Sequence, residues 1–298
     1  MVRFALLLAF ALLLAACSAS APMRKPAATS DATTLTVMTF NVRYGTAKDG
    51  DNHWDKPKDL CASRVTHFNP DVLGLQEALA FQNEFILTKC PGYTAIGVAR
   101  EDGKQSGEFS TLLLRTARFT VNNSGTFWLS ETPDVAGSKS WDSSLPRIAT
   151  WARVQDKSAG DRPVLLINTH FDHKGHVARK EAAKIIRTFI ATRAADAAVI
   201  VTGDFNTAPG SEPYRTFTDM GNNDGVVLVD AYADVHRTNP EANDGTAHAF
   251  KELPVTPRID WILHSPAFSA KSAIIDRHRE GPLFPSDHFA VTAVLTWK

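Results

Sequence analysis

From Leu35 onward, short apolar runs separated by turn-forming clusters alternate with a few stretches of helical spacing. Runs rich in Val, Ile, Leu and Thr and bounded by Gly, Pro, Asn or Asp mark strands. They predict strands at 35–41, 71–76, 109–114, 126–130, 148–154, 164–170, 198–203, 258–264 and 290–297. The best helical pattern runs from His176 to Arg193: Ala178, Ala182, Ile185, Ile186, Phe189 and Ile190 share a face, and Arg179, Lys180, Lys184 and Arg187 lie off it. Shorter helices are predicted at 58–68 and 79–89. Strands outnumber helices, and neither a repeat nor a second linker interrupts the pattern. The expected fold is one α/β (α+β) domain, a four-layer sandwich of two packed sheets flanked by helices. Residues 219–255, polar and rich in Gly and Asn, are expected to form a long loop near the site.

Composition narrows the class. The 298 residues are 44% hydrophobic and 21% charged, an ordinary globular balance that excludes disorder, collagen and coiled coil. The 32 basic and 32 acidic side chains cancel. Nucleic acid is therefore a partner only through some local patch, because binding to phosphate backbones draws on an excess of Lys and Arg.

The N-terminus departs from the rest. Arg3 precedes the apolar run 4–16, which ends in Leu14-Ala15-Ala16-Cys17. Thirteen residues are short for roughly 30 Å of hydrocarbon, and the pattern is that of a secretory signal. The Leu-Ala-Ala-Cys ending resembles the bacterial lipoprotein signal, in which Cys17 becomes the lipidated first residue; the alternative is a plain signal that contains Cys17. Residues 17–33 read as a flexible tether and 34–298 as the catalytic domain. The resemblance implies an extracytoplasmic, lipid-anchored protein, with Ser18 after the cysteine favouring the periplasmic side of the outer membrane; a monomer is expected. Cys61 and Cys90 either close a loop of about 30 residues, worth about 3 kcal/mol, or remain buried thiols. Neither has the Cys-x-x-Cys spacing of a zinc site.

Chemistry-bearing residues collect at strand ends: Asn41, Glu77, His170, Asp204 with Asn206, Asp260, and Asp287 with His288. One such ending is an ordinary Asx cap. Six in one domain point to a site assembled where α/β folds gather distant segments. Carboxylates and an Asn amide suit a hard cation, Mg²⁺ or Mn²⁺. No Gly-x-Ser-x-Gly elbow is present, and the His170, His173, His176 cluster lacks the Glu of an HExxH zinc motif.

In order, Thr39-Phe40-Asn41, Leu75-Gln76-Glu77, Asn168-Thr169-His170, Gly203-Asp204-Phe205-Asn206, Arg258-Ile259-Asp260 and Ser286-Asp287-His288 resemble the endonuclease/exonuclease/phosphatase superfamily. That superfamily includes deoxyribonuclease I-like nucleases, abasic-site endonucleases, neutral sphingomyelinases, deadenylases and inositol polyphosphate phosphatases. The resemblance implies metal-assisted hydrolysis of a phosphate ester. Asn41, Glu77 and Asp287 match the metal-site residues, and Asp204 and Asn206 the pair that positions water and phosphate. His288 matches the general base, Asp260 the carboxylate orienting it, and His170 the histidine that bonds phosphoryl oxygens. Arg147 resembles an arginine or tyrosine used near the phosphate, with a plain ion pair as the alternative.

The expected substrate is a phosphodiester of nuclease or phospholipid type; the alternatives are a phosphomonoester of a small metabolite or inositol-like polyol, and a non-catalytic binding lipoprotein. His173, Lys174 and His176 read equally as substrate contacts or a solvated loop, and Glu108 as a surface residue, with a place facing the site as the alternative. Trp128, Trp141, Trp151 and Trp261 are read as core or rim packing. Specificity is expected in the loops 48–54, 134–141 and 219–255.

Overall fold

The computed structural model describes residues 33–220, 225–238 and 243–298. One mixed sheet contains β1 (Thr34–Asn41), β2 (Val72–Gln76), β3 (Tyr93–Ile96), β4 (Leu112–Arg115), β11 (Phe268–Asp276) and β12 (Ala290–Trp297), in the order β11-β12-β1-β2-β4-β3. The other contains β5 (Phe119–Trp128), β6 (Ile148–Asp156), β7 (Arg162–His170), β8 (Ala198–Asp204), β9 (Val229–Asp230) and β10 (Asp260–His264), in the order β5-β6-β7-β8-β10-β9. The helices are α1 (Lys58–Phe68), α2 (Ala80–Lys89), α3 (His176–Arg193), α4 (Glu212–Thr218) and α5 (Ala231–Val235).

Alternation along each strand builds the layers. On β1, Leu35 and Val37 face Val154, Leu166 and Ile200 between the sheets, whereas Met38 and Phe40 pack with Cys61, Val65 and Ile86 of the first helical layer. Across the second sheet, Leu165, Ile167, Val199 and Val201 meet Ala182, Ile186 and Ile190 of α3. That is the apolar stripe read from the sequence. The expected four-layer sandwich is the observed architecture.

Toward the end that carries the site, the layer between the sheets turns polar. Gln76 Nε2 donates to Thr39 Oγ1 at 3.0 Å and to Asn168 Oδ1 at 2.7 Å, and Thr202 Oγ1 donates to the same Asn168 oxygen at 3.0 Å. Gly74 admits this clasp, since a Cβ there would lie 2.2 Å from Thr202 Oγ1. Strand register completes the alignment: Asn41 pairs with Gln76, and Asp204 pairs with both His170 and Asp260. Four predicted site residues thereby end at one rim.

Several elements differ from the sequence reading. β3, β9, β11, α4 and α5 were not expected, β5 starts at Phe119 rather than 126, and β4 starts at Leu112 rather than 109. The stretch 219–255 is not one loop, for it contains β9 and α5, the latter capped by Asp230, which accepts from the Tyr232 and Ala233 amides. Cys61 and Cys90 are buried free thiols, not a disulfide. Among the described residues no helix is long and apolar enough to cross a membrane. The signal, Cys17 and nearly all of the tether lie outside the described residues.

Candidate active site

β10 and the segment before β12 bring the first pair together. His288 Nδ1 stands 2.9 Å from Asp260 Oδ2, and both residues are buried. The alternative partner of Asp260, Arg258, is taken up instead by Asp230 at 2.8 Å. With Nδ1 committed, Nε2 is the free nitrogen, 3.9 Å from Asp204 Oδ2. Burial opposes the charged ring, yet the Asp260 carboxylate, with Asp204 and Asp287, holds the imidazolium well above the ordinary histidine range. Asp204 is pushed up to about 7 by burial and by the like charge of Asp260, against the pull of His288 and Asn41. A buried carboxyl and an imidazole of this kind can exchange a proton near neutral pH.

Beside them lies an oxygen-rich set. Asn41 Nδ2 donates to Glu77 Oε1 and to Asp204 Oδ2, each at 3.0 Å. Asp287 sits 3.6 Å from Arg43 Nη1; burial raises its carboxyl, and of its charged neighbours His288 lowers it most while Glu77 raises it. Two carboxylates and an amide at one rim fit a hard divalent cation, which would offset that like charge. Asp204, Asp260 and His288 also present ligand atoms within 4.8 Å of one another. The rim therefore offers two sets of groups that could hold a metal, this one and Asn41, Glu77 and Asp287.

The next shelf is built from the ends of β7 and β8. Asn206 Nδ2 lies 3.0 Å from His170 Nε2 and donates to the Phe171 carbonyl at 3.0 Å. That contact leaves the ring proton on Nδ1, which faces Glu108 at 3.8 Å. Burial, reinforced by Arg147 and Arg100, keeps His170 neutral. Arg147 is buried with Nε 3.4 Å from Asp172 and Nη2 3.0 Å from His173 Nδ1, while its Nη1 and His170 Nδ1 are buried without a hydrogen-bond partner. Glu108 is pushed up to about 6 by burial and Glu77, with Arg100 pulling against them. Arg43, Tyr44, Glu77, Arg100, Glu108, Leu145, Arg147, His170, His173, Asn206, Asp287 and His288 enclose one pocket of about 550 Å³. Three lining residues sit in the left-handed region without being glycine: Arg43, Glu77 and Asn206 have φ of 59°, 61° and 50°.

An endonuclease/exonuclease/phosphatase family model matches residues 38–288, from β1 to the histidine of the pocket. The chain belongs to this family. Membership makes it a phosphohydrolase. A Bacteroides vulgatus endonuclease/exonuclease/phosphatase is similar at 36% identity and a TM-score of 0.80, covering 89% of this chain and 100% of that one. A mannosyl-6-phosphatase of Bacteroides thetaiotaomicron is similar at 34% identity and 0.80, covering 88% and 100%. The human Nocturnin catalytic domain, at 20% identity and 0.69 over 89% and 95%, shares the fold. No curated protein matches the chain.

Within this family member, all nine predicted positions of the domain, Asn41, Glu77, Arg147, His170, Asp204, Asn206, Asp260, Asp287 and His288, converge at one end of the sandwich. Others move. Glu108 is a pocket wall, not a surface residue, because Arg100 binds it with two hydrogen bonds. Of the His173, Lys174 and His176 cluster only His173 lines the pocket; His176 is held by Arg179. Among the described residues, the loops 48–54, 134–141 and 219–255 supply no lining side chain; the first contributes Asp49, which fixes Arg43 at 2.9 Å. Arg43, Tyr44 and Arg100 were missed. Arg43 and Tyr44 follow the flagged Asn41 by two and three residues, a proximity that could have found them, whereas Arg100 is brought in only by the hairpin.

Proposed function

We propose that the chain is a divalent-metal-dependent phosphomonoesterase acting on a small phosphorylated polyol or sugar. The observation that carries this reading is the walled pocket. At about 550 Å³ it falls within the range of about 300–1,000 Å³ typical of small-molecule sites. Arg100, Glu108, Leu145 and Arg147 form part of its wall. Zero net charge supports a small substrate over a long nucleic acid. Full-length likeness to a mannosyl-6-phosphatase supports a monoester. On these grounds we put the monoester ahead of the diester expected from sequence.

Asn41, Glu77 and Asp287 would hold Mg²⁺ or Mn²⁺, which when bound neutralises charge on the phosphate. Arg147 adds a fixed positive charge for the phosphate, and Asn206 and His170 line the same end of the pocket. The attacking water would give its proton to the Asp204–His288 pair, at the Asp204 carboxylate or at His288 Nε2 when the ring is neutral, and Asp260 keeps the imidazole oriented, as the carboxylate does in a serine-protease triad. We also propose that residues 1–16 are a lipoprotein signal and that Cys17 is lipidated; retention of radiolabelled palmitate in Cys17→Ala would refute that.

The test is hydrolysis of mannose 6-phosphate, p-nitrophenyl phosphate, bis-p-nitrophenyl phosphate and plasmid DNA with Mg²⁺, Mn²⁺ or EDTA. Turnover of the monoesters, abolished by EDTA, is expected. Diester-only turnover would contradict the monoester reading, and no turnover of any ester would contradict catalysis.

A further inference from the structure

Arg100 and Glu108 come from a separate hairpin yet are built into the same wall, with Glu108 Oε2 3.8 Å from His170 Nδ1. Between β3 and β4 the chain folds back on itself: the Ala99 amide donates to Lys104, Arg100 to Glu108 and Glu101 to Ser106, each within 3.1 Å. Arg100 and Glu108 are therefore cross-strand neighbours. Their side chains are joined twice, Nη1 to Oε2 at 2.6 Å and Nη2 to Oε1 at 2.9 Å, with 7% and 15% of their side-chain surfaces exposed. The Trp128 indole N–H donates to the Arg100 carbonyl at 2.7 Å and locks the hairpin. Burying such a pair is costly, and apolar side chains of the same size would pack as well.

The pair's open side explains its presence. Arg100 uses two of the carboxylate's four lone-pair sites, and each of its terminal nitrogens keeps a second N–H. An acceptor edge beside a donor edge matches hydroxyl groups, which donate to the one and accept from the other. A second phosphate would face the Glu108 charge. An apolar alcohol would bury the pair without a partner. We propose that Arg100 and Glu108 read neighbouring hydroxyls on the alcohol half of the substrate, making them the specificity element of this pocket. The inference rests on the small-polyol reading of the site.

The experiment measures kcat/KM for mannose 6-phosphate and for p-nitrophenyl phosphate in the wild type, in Glu108→Gln and in the double variant Arg100→Met/Glu108→Leu. The double variant removes both charges together and so keeps the wall packed. The ratio of polyol to aryl ester should fall on the order of tenfold to a hundredfold in both variants, the worth of hydrogen bonds to a charged group. An unchanged ratio, whether both rates fall together or neither falls, overturns the assignment. The wild-type preference between monoester and diester is read separately. If diesters win, the monoester reading fails, and the same ratio taken between a glycerol diester and a nitrophenyl diester still decides the role of the pair.

Discussion

Asp172→Asn is the sharpest probe of how the phosphate end of the pocket is held. Asp172 Oδ1 accepts the Lys174 and Gly175 amides at 3.0 and 2.7 Å, and Oδ2 accepts the Ser144 hydroxyl and the Ser144 and Leu145 amides at 2.7, 3.1 and 3.2 Å. Through these bonds it fastens the loop carrying Arg147 to the loop carrying His173. An Asn keeps the volume, but whichever way its amide turns, an NH₂ faces at least two backbone N–H groups. Each donor left unsatisfied costs about 1–3 kcal/mol, so a loss of roughly 3 kcal/mol or more is expected. At about 2–4 °C per kcal/mol for a chain of this size, Tm should fall by roughly 6–12 °C. Burial alone would raise the Asp172 carboxyl, but the Gly175, Ser144 and Lys174 bonds hold it well below the usual range. A depressed folded-state pKa stabilises above the unfolded value of about 3.9, and that stabilisation is lost as pH falls below it. Thermal unfolding at pH 7 and pH 3 should therefore show a large gap between wild type and variant that narrows in acid. A gap under about 2 °C at pH 7, or one that does not narrow, would refute the reasoning.

Further outcomes follow from other contacts. Asp260→Asn should lower kcat on the order of a hundredfold to ten-thousandfold with little change in KM, because the His288 ring loses its orienting charge; an intact kcat in steady-state assays would exclude the pair from proton transfer. Arg147→Lys keeps the charge but loses the planar fork between Asp172 and His173, and kcat/KM should drop about tenfold; equal rates would make Arg147 a plain ion pair. Gly74→Ala drives a methyl into Thr202 and Asn168 between the sheets. Urea unfolding should show a loss of about 1–3 kcal/mol, and a native midpoint would mean that the sheets part easily.

The core was legible where burial is strict. β1, β12, α1 and α3 follow their hydrophobic periods, and the helix α3 keeps the bounds read from sequence. The edge elements were not. β3 is largely solvent-exposed, and a bulge between Ala270 and Ser272 breaks the alternation of β11. α4 and α5 are too short for periodicity; each is held by a cap, Ser211 or Asp230, a signal the sequence did display. The strand-end residues of the site were readable because β-register delivers them. Arg100 was not, and Glu108 was only one of two readings, because a hairpin off β3 and β4 sets where they point.

Phosphate release from mannose 6-phosphate, followed while Mg²⁺ is titrated into EDTA-treated protein, tests most directly whether this pocket is a metal-dependent phosphomonoesterase working through Asp204 and His288. Saturable activation in the wild type, with turnover lost in Asp204→Asn and His288→Ala, is predicted. Hydrolysis that is indifferent to the metal, or that survives both substitutions, would contradict it.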